Sequence, residues 1–313
     1  MGEGAGPAEP CGVCIVDKPA GPTSHDIVAR VRRLLSTRRV GHAGTLDPAA
    51  TGVLVLGVGR ATRLLRYLSP LPKSYRGEVV LGVETDTLDA AGTVVATHEM
   101  GSVTLDDCRA AAAEMVGELG QVPPMVSAVQ VGGRRLHQLA REGVEIEREP
   151  RRVTVHRFEI FPGGAGSGVE EPSTPGSAMV FGIDVECSSG TYVRSLAADL
   201  GRALGGGAHL RRLRRTAIGP FTLDRASALD DLEVLPPVEA VGHLTAVPVD
   251  DGVAALVATG TRLVRTGERV TFAGEGPWAM VSAVGGELLA VYEAAGERAH
   301  PAVVLVQPAR SSG

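Results

Sequence analysis

The sequence is poor in cysteine, in aromatic residues and in long apolar runs. Four cysteines among 313 residues are too few for a disulfide scaffold, and the first residues lack a basic, apolar leader, so a cytoplasmic location is expected. No apolar run reaches the roughly 20 residues that a membrane helix needs. Aromatic residues make up 3% of the chain, which argues against a surface built on many stacking rings. Small secreted proteins and membrane proteins are therefore excluded.

Lysine is also scarce, so the positive charge comes from 29 arginines against two lysines, in a chain of net charge −5. Residues 30–66 hold eight arginines and one acid, Asp47, and residues 202–225 hold six arginines and one acid. Two such basic clusters attract phosphate backbones, although arginine-rich helices are also found simply as solvated surfaces. Residues 226–313 hold five arginines and eleven acids, so the end of the chain has the opposite character.

Motifs for nucleotide and metal cofactors are missing as well. No P-loop pattern occurs, and Gly57-Val58-Gly59 is not followed by the third glycine of a dinucleotide fingerprint. Cys11 and Cys14 form a lone pair without a second pair at zinc spacing. The eight histidines are scattered. We therefore expect neither a cofactor nor a metal.

Helices and strands are mixed without a regular βαβ alternation up to about residue 245, which favours an α+β fold. Beyond that point short β-prone pieces alternate with glycine turns, which predicts a small all-β unit. The predicted division is a flexible tail at 1–10, a first domain at 11–245 with a mobile loop at 162–176, and a β-domain at 246–313. The apolar patterns predict helices at 24–35, 61–68, 105–116, 134–141 and 192–204, and strands at 12–17, 53–58, 74–83, 153–160 and 179–187.

The most unusual segment runs from Gly41 to Gly52, with the sequence GHAGTLDPAATG. Its glycines permit positive φ angles and close approach to a ligand. Pro48 restrains Asp47 to extended or turn conformations, which tends to present the carboxylate on a loop. A carboxylate among arginines is suited to act as a nucleophile or base beside an anionic substrate. The alternative is an ordinary Asp-Pro turn.

Several segments, in order and spacing, resemble the TruB family of bacterial tRNA pseudouridine synthases over roughly residues 11–225. These segments are VDKPAGPTSHD (16–26), GHAGTLDPAATGVLVLGVGRATR (41–63), KSYR (73–76), PPMVSAV (123–129), CSSGTYVRSL (187–196) and GAHLxxLRR (207–215). The resemblance implies a catalytic domain around a mixed, largely antiparallel sheet, followed by a PUA-like C-terminal β-domain. It also implies an isomerase that breaks the N1–C1′ bond of uridine and rejoins the base through C5, without a cofactor.

The resemblance assigns catalytic roles to three residues. Asp47 matches the catalytic aspartate, either as a nucleophile or as a base that opens a glycal route. Tyr75 matches the tyrosine that stacks on the target base, and it is also a candidate to take the C5 proton. Arg194 matches the arginine that pairs with the aspartate and keeps it ionised.

Four further residues are expected to bind substrate by the same resemblance. His42 matches a histidine that stacks near the place vacated by the flipped uridine. Tyr192 and Leu213 match residues that line the uracil pocket. Lys18 is expected either to support the active-site loop or to meet phosphate. The expected phosphate-facing arginines are Arg30, Arg32, Arg33, Arg38, Arg39, Arg211, Arg212, Arg214 and Arg215.

The expected substrate is the T-loop uridine at position 55 of tRNA, bound through the T-arm by a monomer with no membrane association. The alternatives are the same reaction on another RNA, a non-catalytic RNA-folding module in which Asp47 is structural, and a glycoside hydrolase. The last would need two opposed carboxylates, and no second acid stands out. The sequence departs from the family's pattern in its acidic C-terminal end, in His137 at a common tyrosine position, and in the 162–176 loop.

Overall fold

The computed structural model describes residues 9–125, 148–163, 179–267 and 269–306, and the backbone of 130–131 and 134–135. Its α-helices are α1 Ser24–Leu34, α2 Leu65–Leu68, α3 Leu105–Glu114, α4 Val193–Ala203 and α5 Asp251–Ala258. Four 3-10 helices cover Gly59–Leu64, Leu223–Arg225, Leu229–Asp231 and Pro237–Val241. No helix among the described residues has the length and apolarity to cross a membrane.

The strands form two main sheets and two short hairpins. They are β1 Gly12–Lys18, β2 Val40–His42, β3 Thr51–Val58, β4 Lys73–Leu81, β5 Val83–Thr85, β6 Val94–Thr97, β7 Gly117–Gln121, β8 Gln130–Val131, β9 Arg134–Arg135, β10 Arg151–Pro162, β11 Met179–Cys187, β12 Ala208–Ile218, β13 Phe221–Thr222, β14 Thr245–Val249, β15 Leu263–Val264, β16 Trp278–Ser282, β17 Leu288–Ala295 and β18 Arg298–Val304.

The larger sheet has nine strands, with the main order β1-β3-β12-β4-β11-β10-β7. All its pairings are antiparallel except the one between β3 and β12, where Thr51 and Gly52 pair with Arg214 and Arg215. The mixed, largely antiparallel α+β architecture predicted from the sequence is thereby confirmed. The parallel pair brings the strand after the Asp47 loop against the strand that carries the second basic cluster.

Local sequence explains the main helices. Thr23 caps α1, and its side chain and that of Asp26 form a reciprocal capping box. Thr104 and Asp107 do the same for α3. Ile27 and Val31 of α1 are buried, in agreement with the apolar stripe that predicts this helix.

The core of the larger sheet lies between its central strands and the helices α3 and α4. Tyr75, Val79 and Leu81 share one face of β4 and are buried in this core. The predicted strand at 74–83 ends earlier than expected, because Gly82, with a φ of +86°, interrupts it between β4 and β5.

The smaller sheet, with the order β14-β16-β17-β18-β15, covers residues 245–306 and is called the C-terminal sheet region below. The predicted C-terminal β-domain is confirmed by this five-stranded sheet, although the region is not all-β, since it also contains the helix α5. Asp250 caps that helix by accepting a hydrogen bond from the Val253 amide. The short apolar run that follows is ambiguous between helix and strand by its pattern alone.

The two sheet regions share a hydrophobic cluster. Leu288 and Val291 of the C-terminal sheet region are buried together with Leu64, Leu68 and Phe221. Polar contacts surround this cluster, among them Arg60 Nη1 to the Leu305 carbonyl at 2.8 Å, the Tyr67 hydroxyl to Glu293 at 2.8 Å, and Arg66 to Glu293 at 3.3 Å. Arg60 and Arg66 of the first basic cluster therefore contact the C-terminal sheet region.

Some sequence-based predictions fall on residues outside the description. The tail at 1–8, His137 with most of the predicted helix 134–141, and residues 164–178, which contain most of the predicted loop, lie outside the described residues. The helix does not begin at residue 134, because residues 134–135 pair with residues 130–131 as a short strand.

Candidate active site

The loop that carries Asp47 connects β2 to β3, and side chains from other segments bind its backbone. The Ser24 hydroxyl accepts a hydrogen bond from the Leu46 amide at 2.9 Å and donates one to the Leu46 carbonyl at 3.1 Å. Arg215 donates to the carbonyls of Gly44 and Thr45. Since side chains from two separate segments, α1 and β12, bind its backbone, the loop holds Asp47 in a fixed position.

Lys18 belongs to this support, so its prediction as a substrate contact is corrected. Its side chain is fully buried, and Nζ donates to the carbonyls of Pro19, Pro22 and Pro48 at 2.8, 2.8 and 3.1 Å. A buried ammonium with three carbonyl acceptors has no access to RNA phosphate. Of the two roles expected for Lys18, the structure places it under the loop.

A cavity of about 280 Å³ opens beside the Asp47 loop. It is bounded by residues of that loop, of β4, of β12 and of the segment that leads into α4. The structure brings together here five of the residues singled out from the sequence, namely Asp47, Tyr75, Tyr192, Arg194 and Leu213. Lys73 and Arg215 also face the cavity, although the sequence analysis gave neither a role in the uracil pocket.

Arg194 is buried and bridges two carboxylates. Its Nε lies 3.0 Å from Asp47 Oδ2 and its Nη1 lies 3.2 Å from Asp89 Oδ2, while Nη1 also donates to the Thr87 carbonyl at 3.0 Å. Because Arg194 lies in the first turn of α4, its guanidinium reaches the Asp47 loop. The predicted pairing of Arg194 with Asp47 is thus present in the geometry, and Asp89 is an additional partner.

Some groups around Asp47 raise the pKa of its carboxyl, and others lower it. Desolvation raises the pKa of the Asp47 carboxyl, and the nearby Asp89 raises it further, whereas Arg194 and Lys18 lower it. The side chain remains 45% exposed at the cavity. An aspartate with a raised pKa is a better nucleophile or base when ionised, and Arg194 favours the ionised form.

Asp89 was missed by the sequence analysis. It lies in the turn between β5 and β6, where its Oδ1 accepts from the Thr87 hydroxyl at 2.6 Å and the Ala91 amide at 3.0 Å. These bonds leave Oδ2 for Arg194. The only signal in the sequence is a turn-forming run, TDTLDAAG (85–92), which does not reveal a contact with a helix so distant along the chain.

Tyr75 is 8% exposed and lies on the inward face of β4. Burial raises the pKa of its phenol, and the charge and side-chain hydrogen bond of Arg215 lower it. Burial is the larger influence, so the phenol is neutral near pH 7. A neutral ring fixed at the cavity is suited to stack on a base.

Tyr192 is held by an amide clamp that sequence reasoning did not find. The Gln121 side chain accepts from the Tyr192 amide at 2.7 Å and donates to the Tyr192 carbonyl at 3.1 Å. Gln121 is 3% exposed and ends β7. Because Tyr192 is the N-cap of α4, the clamp also fixes the start of the helix that carries Arg194.

His42 is the predicted substrate residue that lies away from the cavity wall. It ends β2, its Nδ1 accepts from the Gly44 amide at 3.2 Å, and its ring meets that of His25 edge-on at 5.4 Å between centroids. Burial, aided by His25 and Arg215, lowers the pKa of His42. A neutral ring is therefore favoured, and such a ring is able to stack on a base.

Several of the predicted phosphate-facing arginines point inward, so that part of the prediction is wrong. Arg215 is 1% exposed, and the Arg211 side chain, 10% exposed, lies 3.8 Å from Glu78. Arg214 pairs with Asp17 at 2.6 Å. Arg211 and Arg215 are therefore turned toward the protein, and Arg214, with its side chain 41% exposed, is engaged in an ion pair. The exposed arginines of this set are Arg30, Arg32, Arg33, Arg38 and Arg39.

Comparison with known proteins identifies the family of the chain. Residues 32–193 match the model of the TruB family pseudouridylate synthase N-terminal domain, and residues 194–237 match that of the tRNA pseudouridylate synthase B C-terminal domain. A tRNA pseudouridine synthase B of Rhodococcus jostii is 46% identical over 95% of this chain and 94% of its own. One of Symbiobacterium thermophilum is 49% identical over 80% of this chain and 82% of its own.

The fold has relatives among solved structures as well. A chain from a structure described as an H/ACA RNP bound to a substrate RNA containing 2′-deoxyuridine superposes with a TM-score of 0.68, at 25% identity over 95% of this chain and 86% of that chain. Two adjoining family models match residues 32–237, and relatives match most of the chain. The chain therefore belongs to the TruB family of pseudouridylate synthases.

Proposed function

We propose that this protein, acting as a monomer on the T-arm of tRNA, isomerises the T-loop uridine at position 55 to pseudouridine, with Asp47 as the catalytic carboxylate. The observation that carries the proposal is the convergence of Asp47, Arg194, Tyr75 and Leu213 on one cavity. The relatives named tRNA pseudouridine synthase B cover most of the chain, which supports tRNA as the substrate.

The reaction requires no net change in composition. The N1–C1′ bond breaks, the base turns, a C1′–C5 bond forms, the C5 proton leaves, and N1 gains a proton. Asp47 either attacks C1′ as a nucleophile or removes a ribose proton to open a glycal route. In both cases the carboxylate must be ionised, and the adjacent guanidinium of Arg194, with Nε at 3.0 Å, supports that state.

The base must leave its stack before it reaches Asp47. Tyr75 offers a fixed ring at the cavity, and Leu213 offers an apolar contact on the neighbouring strand β12. Stacking on the neutral phenol is the role we assign to Tyr75 at the binding step. The edge-on pair of His25 and His42, close to the loop, is proposed to contact the RNA where the uridine has left.

The RNA backbone is proposed to contact the exposed arginines at the end of α1 and before β2. Arg33, Arg38 and Arg39 are exposed in this stretch, next to the strand that leads into the Asp47 loop. Contacts of this kind set affinity and its salt dependence rather than the choice of base.

The test is to map the modified position in full-length tRNA transcripts. We expect the enzyme to form pseudouridine at position 55, detected by carbodiimide adduct and primer extension, and to leave a transcript with cytidine at that position unmodified. Modification elsewhere in tRNA would contradict the T-loop assignment. Binding of tRNA without any modification would favour the non-catalytic RNA-folding module.

A further inference from the structure

Arg215 is buried at the pairing of β12 with β3. It lies on β12 in the parallel pairing with β3, directly beside Gly52. Gly52 has a φ of +103°, and a Cβ there would collide with the Arg215 backbone. This close approach brings β12 under the Asp47 loop, so the Arg215 side chain enters the interior at the base of the loop.

The guanidinium of Arg215 directs its donors to backbone carbonyls around the catalytic centre. Nε donates to the Val53 carbonyl at 2.7 Å, Nη2 to the Gly44 carbonyl at 3.1 Å, and Nη1 to the Thr45 carbonyl at 3.3 Å. Arg215 is also the cross-strand neighbour of Tyr75 in the pairing of β12 with β4, and both residues line the cavity. One buried group therefore connects the start of the Asp47 loop, the strand after it and the ring that faces the cavity.

From this geometry we infer that Arg215 is a positioning residue for the isomerisation, which fixes the Asp47 loop and the Tyr75 ring relative to each other. The inference rests on the proposed function, because it takes Asp47 and Tyr75 as the groups that act on the uridine. The fork of the guanidinium matches two adjacent carbonyls, which a lysine ammonium cannot contact with the same geometry.

The charge of Arg215 supports this role. Within the described part of the chain Arg215 forms no ion pair, although it is 1% exposed. Its uncompensated charge acts on the groups around it and lowers the pKa of Tyr75, Lys73 and His42. Burial of an unpaired guanidinium is costly, and a purely apolar support would avoid that cost. The burial of Arg215 is explained if both its positive charge and its paired N–H donors act on the groups at the cavity.

The experiment compares Arg215→Lys and Arg215→Gln with wild type under single turnover on a T-arm stem-loop, and follows Tyr75 by fluorine NMR of protein labelled with 3-fluorotyrosine. Tyr75→Phe assigns the signal. We expect both arginine variants to lose about tenfold to a hundredfold in the rate of isomerisation, since displacement of reacting groups by about 1 Å costs that much. RNA affinity should stay within a few-fold.

The Tyr75 titration separates positioning from general stability. With the charge gone, Arg215→Gln should move the Tyr75 titration to higher pH, while Arg215→Lys should recover part of that shift without recovering the rate. The control is Arg76→Lys, an exposed arginine that follows Tyr75 on β4 and pairs with Asp184. It should leave both the rate and the titration unchanged.

Wild-type rates in both arginine variants, or an unmoved Tyr75 signal, would overturn the inference. If neither variant folds, Tyr75→Phe tests the same contact from the other side: loss of the hydroxyl should slow isomerisation several-fold at constant affinity, and an unchanged rate would contradict the inference. Failure of the wild type to modify the T-arm would instead refute the proposed function, and the Tyr75 titration in Arg215→Gln would still decide whether the contact exists.

Discussion

The larger sheet and the C-terminal sheet region differ in what they bury. Among the described residues, every buried polar or charged side chain lies in the first 215 residues, and these include Lys18, Lys73, Gln121, Arg194 and Arg215. In residues 245–306 the buried side chains of the described residues are all hydrophobic. Desolvation of polar groups is therefore concentrated in the part of the molecule that forms the cavity.

In the C-terminal sheet region, by contrast, the buried aromatic residues bond their polar atoms to backbone carbonyls of the same region. Trp278 and Tyr292 are fully buried, and their polar atoms bind the carbonyls of Ala273 and Thr261 at 2.6 and 2.8 Å. The polar atoms of these two rings are thus satisfied within the region itself. Burial of charged groups around the cavity lowers the stability of the larger sheet. The buried side chains of the C-terminal sheet region contribute instead to packing, in part against the segment 59–68.

After the loss of Asp47 itself, the largest effect is expected from Arg194→Ala, which breaks the bridge between Asp47 and Asp89. Because the catalytic carboxylate then loses its preorganised donor, the rate should fall by about a hundredfold to a thousandfold. Loss of the guanidinium raises the pKa of Asp47 further, and because the carboxylate is the active form, the acidic limb of the pH–rate profile should move to higher pH. Arg202→Ala, an exposed position on the same helix, is the control. An unmoved limb would contradict the pairing.

Trp278→Ala tests the other side of the comparison. Truncation of this fully buried ring should lower the free energy of unfolding by about 3–5 kcal/mol, measured by urea denaturation. The isomerisation rate per folded molecule should be unchanged, because Trp278 contacts no residue of the cavity wall that we describe. Val284→Ala, at a site 90% exposed, should leave stability unaltered. A selective loss of rate in Trp278→Ala would show that the C-terminal sheet region takes part in the chemistry.

Gln121→Glu tests the clamp on Tyr192. The carboxylate keeps the shape of the amide but replaces the donor to the Tyr192 carbonyl by an oxygen, so the clamp should open. A buried backbone group left unpaired costs about 1–3 kcal/mol, and we expect about a tenfold loss of rate, partly restored at lower pH where the new carboxyl is protonated. Glu118→Gln, exposed on the same strand, is the control. A full wild-type rate would refute the clamp's role.

The effect expected for Lys73 appears in stability alone. Burial lowers the pKa of Lys73 to about 8, whereas the unfolded chain keeps an ordinary lysine pKa of about 10.4. Between these values the unfolded state binds the extra proton, so stability rises with pH by up to about 1.4 kcal/mol per pH unit. Relative to Lys73→Met, the free energy of unfolding of the wild type should therefore improve from pH 8 to pH 10. A constant difference would refute the shifted pKa.

The sequence sufficed to predict which local motifs meet at the cavity. Asp47, Tyr75 and Arg194 each lie in a motif whose residue types limit the chemistry, and the structure places all three at one site. Asp89, Gln121 and the inward direction of Arg215 could not be predicted, because each depends on contact between segments far apart along the chain. A hairpin turn, a strand end and an arginine-rich strand give no local signal of the partner that they will meet.

The secondary structure shows the same limit. The helices at 24–35 and 105–116 were predictable from their caps and apolar stripes, and their observed bounds differ by one or two residues at the C-terminal end. The helix α5 was not predictable, since its short apolar run fits a strand equally well and only the capping bond of Asp250 decides the outcome.

The central claim is that Asp47 performs the chemistry in the cavity of the larger sheet. The most direct test is tritium release from a T-arm stem-loop labelled at C5 of the target uridine, with Asp47→Asn compared with wild type and with Asp106→Asn, an exposed aspartate on α3. We predict release by the wild type and by Asp106→Asn, and a loss of at least about a thousandfold in Asp47→Asn, with RNA affinity within a few-fold. Release by Asp47→Asn at the wild-type rate would contradict the claim.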